Sequence, residues 1–334
     1  MTNQIRRVVV TQRFFDDEAV RYLEANNCQV DIAELPKGQA DGNLTHDQLL
    51  AMLKDADGWI VGHARINRDL LEALPRLQIL SRRGVGYERV DLEAARALGR
   101  VVTIAAGGND ASVADHTVAL LLAVGRKLRE TQMNMQAGNW SILISSDLYR
   151  KTVGLVGLGR IGRSVAQRLK GFETRILVST PTMDEAYASA NGITHVDIDT
   201  LLRESDYVSL HAPLSPLTRN LINKDTLAMM KPTAVLINTA RGGLVEDRDL
   251  LDALKDGTIA GAGLDVYLSE SNPTYKSVSD ELIALPNVVA SPHSAASSAE
   301  GLARTNMVAS QCVVAVLSGR DPPSSCVVAD GRGR

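Results

Sequence analysis

Short apolar runs recur along this chain, separated by stretches in which apolar residues return every three or four positions. Val8-Val9-Val10, Val30-Asp31-Ile32-Ala33, Trp59-Ile60-Val61 and Ile79-Leu80-Ser81 read as buried strands. The stretches 16–26, 46–54 and 91–98 carry helical spacing. A second alternating series begins near Thr152, with strands predicted at 153–156, 175–178, 207–210, 234–237, 261–264 and 288–290. Alternation of this kind predicts two α/β domains, each a mostly parallel sheet with helices on both faces. Between the series lies a long apolar helix, 111–127, which Asn109-Asp110 would cap. Six strands with helical crossovers fit a dinucleotide-binding fold. The stretch 321–334, rich in Pro, Ser and Gly, reads as a tail that frays at its end.

Composition narrows the function. The 334 residues suit two domains, and 45% hydrophobic with 22% charged residues suits an ordinary globular protein. A net charge of −3 gives no basic footprint for nucleic acid, and 4% aromatic residues give no stacking platform for single strands. Cys28, Cys312 and Cys326 lie far apart and are odd in number, so neither a metal site nor a disulfide framework is expected. No apolar stretch approaches the length of about 18 residues that a membrane span needs. The segment Met1 to Arg7 does not read as a signal peptide, because the apolar run after it stops at Val10. A cytoplasmic protein is expected.

The first chemical motif is Gly157-Leu158-Gly159-Arg160-Ile161-Gly162. It follows an apolar strand and opens a helical pattern, the context in which such glycines cradle a pyrophosphate. Free N–H groups and the positive dipole end of the helix would face the phosphates. The acidic residue expected about 20 residues later, which would bond the ribose 2′-OH, is absent. Thr180 stands there; it can bond the hydroxyl but repels no 2′-phosphate. No Arg or Lys occurs in 179–191 to welcome that phosphate. NAD is therefore expected, with NADP as the alternative.

Beyond the glycine turn, the chain resembles the D-isomer-specific 2-hydroxyacid dehydrogenases, in their phosphoglycerate dehydrogenase-related branch. The resemblance rests on Ser81-Arg82-Arg83-Gly84-Val85-Gly86-Tyr87-Glu88-Arg89-Val90-Asp91, on the glycine turn, and on Ser209-Leu210-His211-Ala212-Pro213-Leu214. It continues through Leu236-Ile237-Asn238-Thr239-Ala240-Arg241-Gly242-Gly243, Gly261-Ala262-Gly263-Leu264-Asp265-Val266-Tyr267 and Ser291-Pro292-His293. The resemblance implies a Rossmann-type dinucleotide-binding domain at 104–297. A flavodoxin-like substrate domain would be formed by 1–103 with 298–334. It also implies a homodimer, with Trp140 anchoring an arm at 139–149 or packing in the core.

The implied catalytic trio is Arg241, Glu270 and His293. Arg241 is always cationic and presents a planar fork that can grip a carboxylate and polarise a keto oxygen. His293 would give a proton to the keto oxygen on reduction and take it back on oxidation. Glu270 would orient His293 and stabilise its imidazolium. The family usually has Pro after this Glu, where Ser271 stands here. Of the six histidines, at 46, 63, 116, 195, 211 and 293, the Ser-Pro-His context selects the last.

The resemblance further implies cofactor contacts from Gly157, Gly159, Arg160, Ile161 and Gly162 at the turn and from Thr180 at the ribose. His211, Pro213 and Thr218 would follow, then Thr239, Ala240 and Arg241, and at the nicotinamide end Asp265, His293 and Ala295. Substrate contacts would come from Val85 and Gly86, whose N–H groups form a small anion nest, and from Arg241 and His293; His63 would either reach the substrate or stand as a satisfied loop histidine. No metal ligand set is expected. The stretch Val61-Gly62-His63-Ala64-Arg65 departs from the Arg-Ser of phosphoglycerate-specific members, so 3-phosphoglycerate is not favoured. Val85 stands where phosphite-oxidising relatives have Lys.

These readings converge on hydride transfer between NAD(H) and C2 of a 2-hydroxy or 2-keto acid. Two rivals stay open: a dehydrogenase of an unusual acid such as a phosphonate or sugar acid, and a non-enzymatic NAD-sensing protein similar to the corepressors built on this scaffold.

Overall fold

In the computed structural model, the described residues are 5–37 and 39–333. The reading of Met1 to Gln4 and the very end of the tail, Arg334, lie outside them. The chain forms two compact units, 1–109 with 296–334, and 110–295.

The first unit contains β1 (Arg6–Val10), β2 (Cys28–Ile32), β3 (Gly58–Val61), β4 (Ile79–Arg82) and β5 (Val101–Ile104), with the last strand of the chain, β13 (Val327–Asp330). Their order is β13-β5-β4-β3-β1-β2. The five parallel strands follow the flavodoxin-like order, and β13 adds antiparallel to β5. Residues 327–330 of the tail are thus paired backbone. The strands are apolar on both faces because both are covered. Val8, Val10 and Ile60 pack with the helix Ala299–Leu317 on one side, while Val9, Trp59 and Val61 pack on the other.

The second unit is built on β6 (Thr152–Val156), β7 (Arg175–Ser179), β8 (Ile193–His195), β9 (Tyr207–Leu210), β10 (Val235–Asn238), β11 (Gly261–Leu264) and β12 (Val288–Ala290). All seven pair in parallel, in the order β12-β11-β10-β9-β6-β7-β8. This is the doubly wound Rossmann arrangement with one strand added beyond the usual six. The six strands read from the sequence are present. β8 was not read, because its three residues Ile193-Thr194-His195 carry a single buried apolar side chain. Side chains alternate between two cores along each strand: Ile176 and Val178 face one, Leu177 the other.

The helix Asp110–Gly125 has eight buried positions, and contacts the helix Arg160–Leu169 and strands β10 to β12. Asn109 does not cap it: its Oδ1 is buried and makes no hydrogen bond among the described residues.

Candidate active site

Strand order alone aligns the candidate residues of the second unit. β6 has β7 on one side and β9 on the other, so the chain reverses direction across the sheet there. In such sheets, ligands bind outside the carboxyl ends of the strands at the switch point. The glycine turn leaves β6 at that place. Along the same edge, Thr180 follows β7, His211 follows β9, Thr239 to Arg241 follow β10, Asp265 follows β11 and His293 follows β12.

Each glycine of the turn does a different job. Gly157 has φ +98, and an added Cβ would lie 2.9 Å from the carbonyl carbon and oxygen of His211. Gly162 is closed against the Gly157 carbonyl. Gly159 precedes the helix Arg160–Leu169, and a Cβ there would meet nothing within 4 Å. The one glycine with open space before it stands at the helix N-terminus, where a pyrophosphate would approach the backbone. The residues present therefore fit a dinucleotide. Arg160 and Ile161 open the helix itself.

Thr180 Oγ1 donates to the Thr182 carbonyl at 3.4 Å, and the His195 ring bonds the Thr180 carbonyl at 3.1 Å. Arg163 reaches over from the glycine-turn helix to pair with Asp184 at 3.0 Å, its guanidinium 4.2 Å from the Tyr187 ring centroid. Local sequence contained no Arg or Lys here; Arg163 comes from the glycine-turn helix, and β8 brings in the His195 ring. Further along, burial lowers the His211 pKa to about 4, so the ring is neutral at pH 7, and it bonds Ser209 Oγ at 2.9 Å. Thr218 Oγ1 donates to the Pro213 carbonyl at 2.7 Å and ties that loop into a turn. Thr239 is buried and shares a 2.9 Å hydroxyl bond with Thr117.

The trio lies in the loops that follow three adjacent strands, β10, β11 and β12. Asn238 clamps the Arg241 segment at both ends: its Nδ2 donates to the Arg241 carbonyl at 2.9 Å, and its Oδ1 accepts from Ala240 N–H at 3.1 Å. Gly242 then packs directly on the Tyr267 carbonyl, which leaves no room for a side chain. Glu270 ends the short turn Leu268–Glu270. Its Oε1 accepts from Tyr267 N–H at 2.8 Å, and its Oε2 lies 2.6 Å from His293 Nδ1. Both side chains are about 37% exposed, so the far edge of the imidazole stays accessible while Nδ1 is held.

One residue that the sequence did not single out supports this geometry. Asp247, 3% exposed, accepts from Leu268 N–H at 3.0 Å and so links the helix after Arg241 to the turn bearing Glu270. Burial raises its pKa to about 7, with the nearby Glu246 and Glu270 carboxylates adding to the shift. His293 adopts φ +52, a left-handed conformation that costs a non-glycine residue roughly 1–3 kcal/mol unless its surroundings impose it. Asp265 imposes it. Its carbonyl accepts from His293 N–H at 2.7 Å, and its carboxylate accepts from Ser294 N–H and Ala295 N–H at 2.8 and 2.9 Å.

Val85, Gly86 and His63 belong to the first unit, where they follow the paired strands β4 and β3. The His63 loop hangs on the buried Asp41, which accepts from Gly62 N–H and His63 N–H at 2.7 Å each. Arg82 Nε donates to the Gly86 carbonyl at 2.8 Å.

Comparison with known proteins agrees with this geometry. Residues 118–295 match the family model described as D-isomer specific 2-hydroxyacid dehydrogenase, NAD binding domain. The chain belongs to the D-isomer specific 2-hydroxyacid dehydrogenase family. It is 37% identical to the glyoxylate reductase of Korarchaeum cryptofilum over 284 residues, 83% of this chain and 82% of that one. It is 34% identical to the D-3-phosphoglycerate dehydrogenase of Methanocaldococcus jannaschii over 320 residues, 94% of this chain and 58% of that one. The chain thus spans little more than half the length of that phosphoglycerate dehydrogenase. The crystal structure of D-lactate dehydrogenase from Aquifex aeolicus with NAD and lactic acid matches at TM-score 0.81 and 27% identity, covering 97% of this chain and 99% of that one. As a member of this family, the chain carries the family's NAD-binding domain on the seven-stranded unit.

Proposed function

We propose that this protein interconverts a 2-keto acid and the corresponding D-2-hydroxy acid, with NADH and NAD as the redox pair and His293 as the acid/base. The observation that carries this reading is the 2.6 Å bond between His293 Nδ1 and Glu270, on the same sheet edge as the glycine turn. The cofactor would lie along that edge from Thr180 to Ala295 and would supply or accept the hydride at C2. The guanidinium of Arg241 would hold the substrate carboxylate, and its charge would draw electron density toward the keto oxygen. His293 Nε2 then gives its proton to that oxygen, and Glu270 stabilises the imidazolium before transfer. In oxidation the same nitrogen takes the hydroxyl proton.

A carboxylate partner on the histidine favours an alcohol substrate, whose proton needs a base. The further details are part of the same proposal. A homodimer fits the segment that exposes Trp140 (74%), Ile142 (96%) and Ile144 (90%), which also removes core packing as the role of Trp140. Among the described residues no helix is long and apolar enough to cross a membrane, and the three cysteines are free and buried. Free thiols fit the reducing cytoplasm, where we place the protein.

The test follows NADH absorbance over glyoxylate, hydroxypyruvate, pyruvate, 2-ketobutyrate and phosphohydroxypyruvate. Turnover with at least one acid is expected, and Arg241→Ala should lower kcat and raise KM together. Silence on all five in protein that binds NADH would refute the proposal.

A further inference from the structure

We propose that His116, on the helix Asp110–Gly125, is a positioning residue for the acid/base: through Ser291 and Asp265 it holds the loop that carries His293. The inference rests on the dehydrogenase reading above and concerns a side chain that neither that reading nor the sequence assigned.

Ser291 Oγ has one proton, and it donates that proton to Asp265 Oδ1 at 2.6 Å. The bond between Ser291 Oγ and His116 Nε2, 2.8 Å long, must then run the other way, from Nε2–H to the serine oxygen. His116 is therefore protonated on Nε2, and the same N–H lies 3.7 Å from Asp265 Oδ1. The chain is directional: imidazole to hydroxyl to carboxylate.

A serine beside a histidine invites a nucleophilic reading. The direction excludes it, because a nucleophilic serine gives its proton to the histidine, and here the proton goes to Asp265.

The carboxylate at the end of this chain holds the loop. Asp265 is fully buried and accepts from Ser291, Ser294 and Ala295, on both sides of the left-handed His293. Ser291 is thus gripped from two directions, two residues before His293. The next helical residue, Thr117, bonds Thr239 at the end of β10, so one turn of this helix steadies two of the active-site loops. Without the Nε2–H donor the Ser291 hydroxyl is free to leave Asp265, and the carboxylate loses one of its three donors. Small displacements of a reacting group are enough to cost rate on the order of 100-fold.

The experiment compares His116→Leu, His116→Gln, Ser291→Ala and the His116→Leu/Ser291→Ala double variant with wild type, each checked for an intact thermal transition. His116→Leu should lower kcat by on the order of 10- to 100-fold with NADH Kd and keto-acid KM nearly unchanged. His116→Gln, which keeps an N–H donor, should recover most of that loss. Ser291→Ala should resemble His116→Leu, and the double variant should be no worse than either, since both cut one chain. Independently of activity, 15N NMR of the histidine rings should show the His116 proton on Nε2. A His116→Leu enzyme with wild-type kcat, or a His116 proton on Nδ1 alone, would overturn the proposal. Wild-type protein inactive on every acid would instead refute the dehydrogenase reading, while the ring NMR would still decide whether His116 donates to Ser291.

Discussion

Replacing either Gly157 or Gly159 by alanine adds one methyl group to the same turn, yet the structure predicts opposite consequences. At Gly157 the methyl would lie 2.9 Å from the His211 carbonyl and 3.0 Å from the Ala212 nitrogen, on a backbone with φ +98. Positive φ costs an alanine roughly 1–2 kcal/mol. Displacing the backbone that follows β9 brings overpacking of a further 1–3 kcal/mol or so. A total of about 2–5 kcal/mol should lower Tm by roughly 5–15 °C for a unit of this size. Gly159 has φ −72, which alanine adopts freely, and nothing within 4 Å of the added methyl. Gly159→Ala should therefore melt with the wild type. Its methyl would instead stand where the pyrophosphate meets the helix N-terminus, and NADH affinity should fall at least 10-fold, about 1.4 kcal/mol. Thermal melts and NADH fluorescence titrations on the two variants decide the matter. If Gly159→Ala bound NADH like the wild type, the placement of the cofactor at this turn would be wrong. A wild-type melt for Gly157→Ala would discredit the strain argument.

Three other predictions follow from named contacts. His293→Ala should lose about 100- to 10,000-fold in kcat with NADH binding kept, and Glu270→Gln, which keeps an acceptor but not the charge, should lose less; steady-state rates beside NADH titrations check both, and unchanged turnover in His293→Ala would remove it from the reaction. Asp247 has a folded pKa raised from 3.8 to about 7, so the stability it contributes is full below about pH 4 and is lost as pH rises through about 7. A shift of that size corresponds to about 4 kcal/mol, and Asp247→Asn, which keeps an acceptor for Leu268 N–H, should gain Tm over wild type progressively from pH 4 to pH 8; a pH-independent difference would contradict the raised pKa of the buried carboxyl. Thr180→Asp should raise the preference for NADH over NADPH in kcat/KM by 10-fold or more, because a carboxylate there repels a 2′-phosphate; an unchanged ratio would place the ribose elsewhere.

What the sequence determined by itself was whatever depends on residues close together in the chain. The glycine turn was legible because backbone conformation and helix start are local properties of six consecutive residues. The strands were legible where short apolar runs such as Val8-Val9-Val10 and Trp59-Ile60-Val61 stand out, and β8 was missed because one buried Ile193 in three residues makes no pattern. Arg241, Glu270 and His293 were found through the segments around them. Their alignment on neighbouring strands, in the order β10, β11, β12, is a property of the sheet alone.

Tertiary structure decided everything that rests on partners far apart in sequence. Pairing of β13 with β5 turned a stretch with the composition of a loose tail into a strand, because backbone N–H and C=O groups beside an open sheet edge are satisfied there. Arg163 and His195 came to the Thr180 region from other elements, which no scan of 179–191 could show. Asp247 carried no signal in the sequence; burial raises its pKa to about 7 even against the Leu268 N–H bond, which lowers it. His116 read as one histidine among six. Only its 2.8 Å bond to Ser291, across 175 positions of chain, makes its proton a part of the loop that holds His293. A hydrogen bond depends on distances of a few ångströms in space, and the one-dimensional order of residues carries no information about such distances once the chain has folded back on itself.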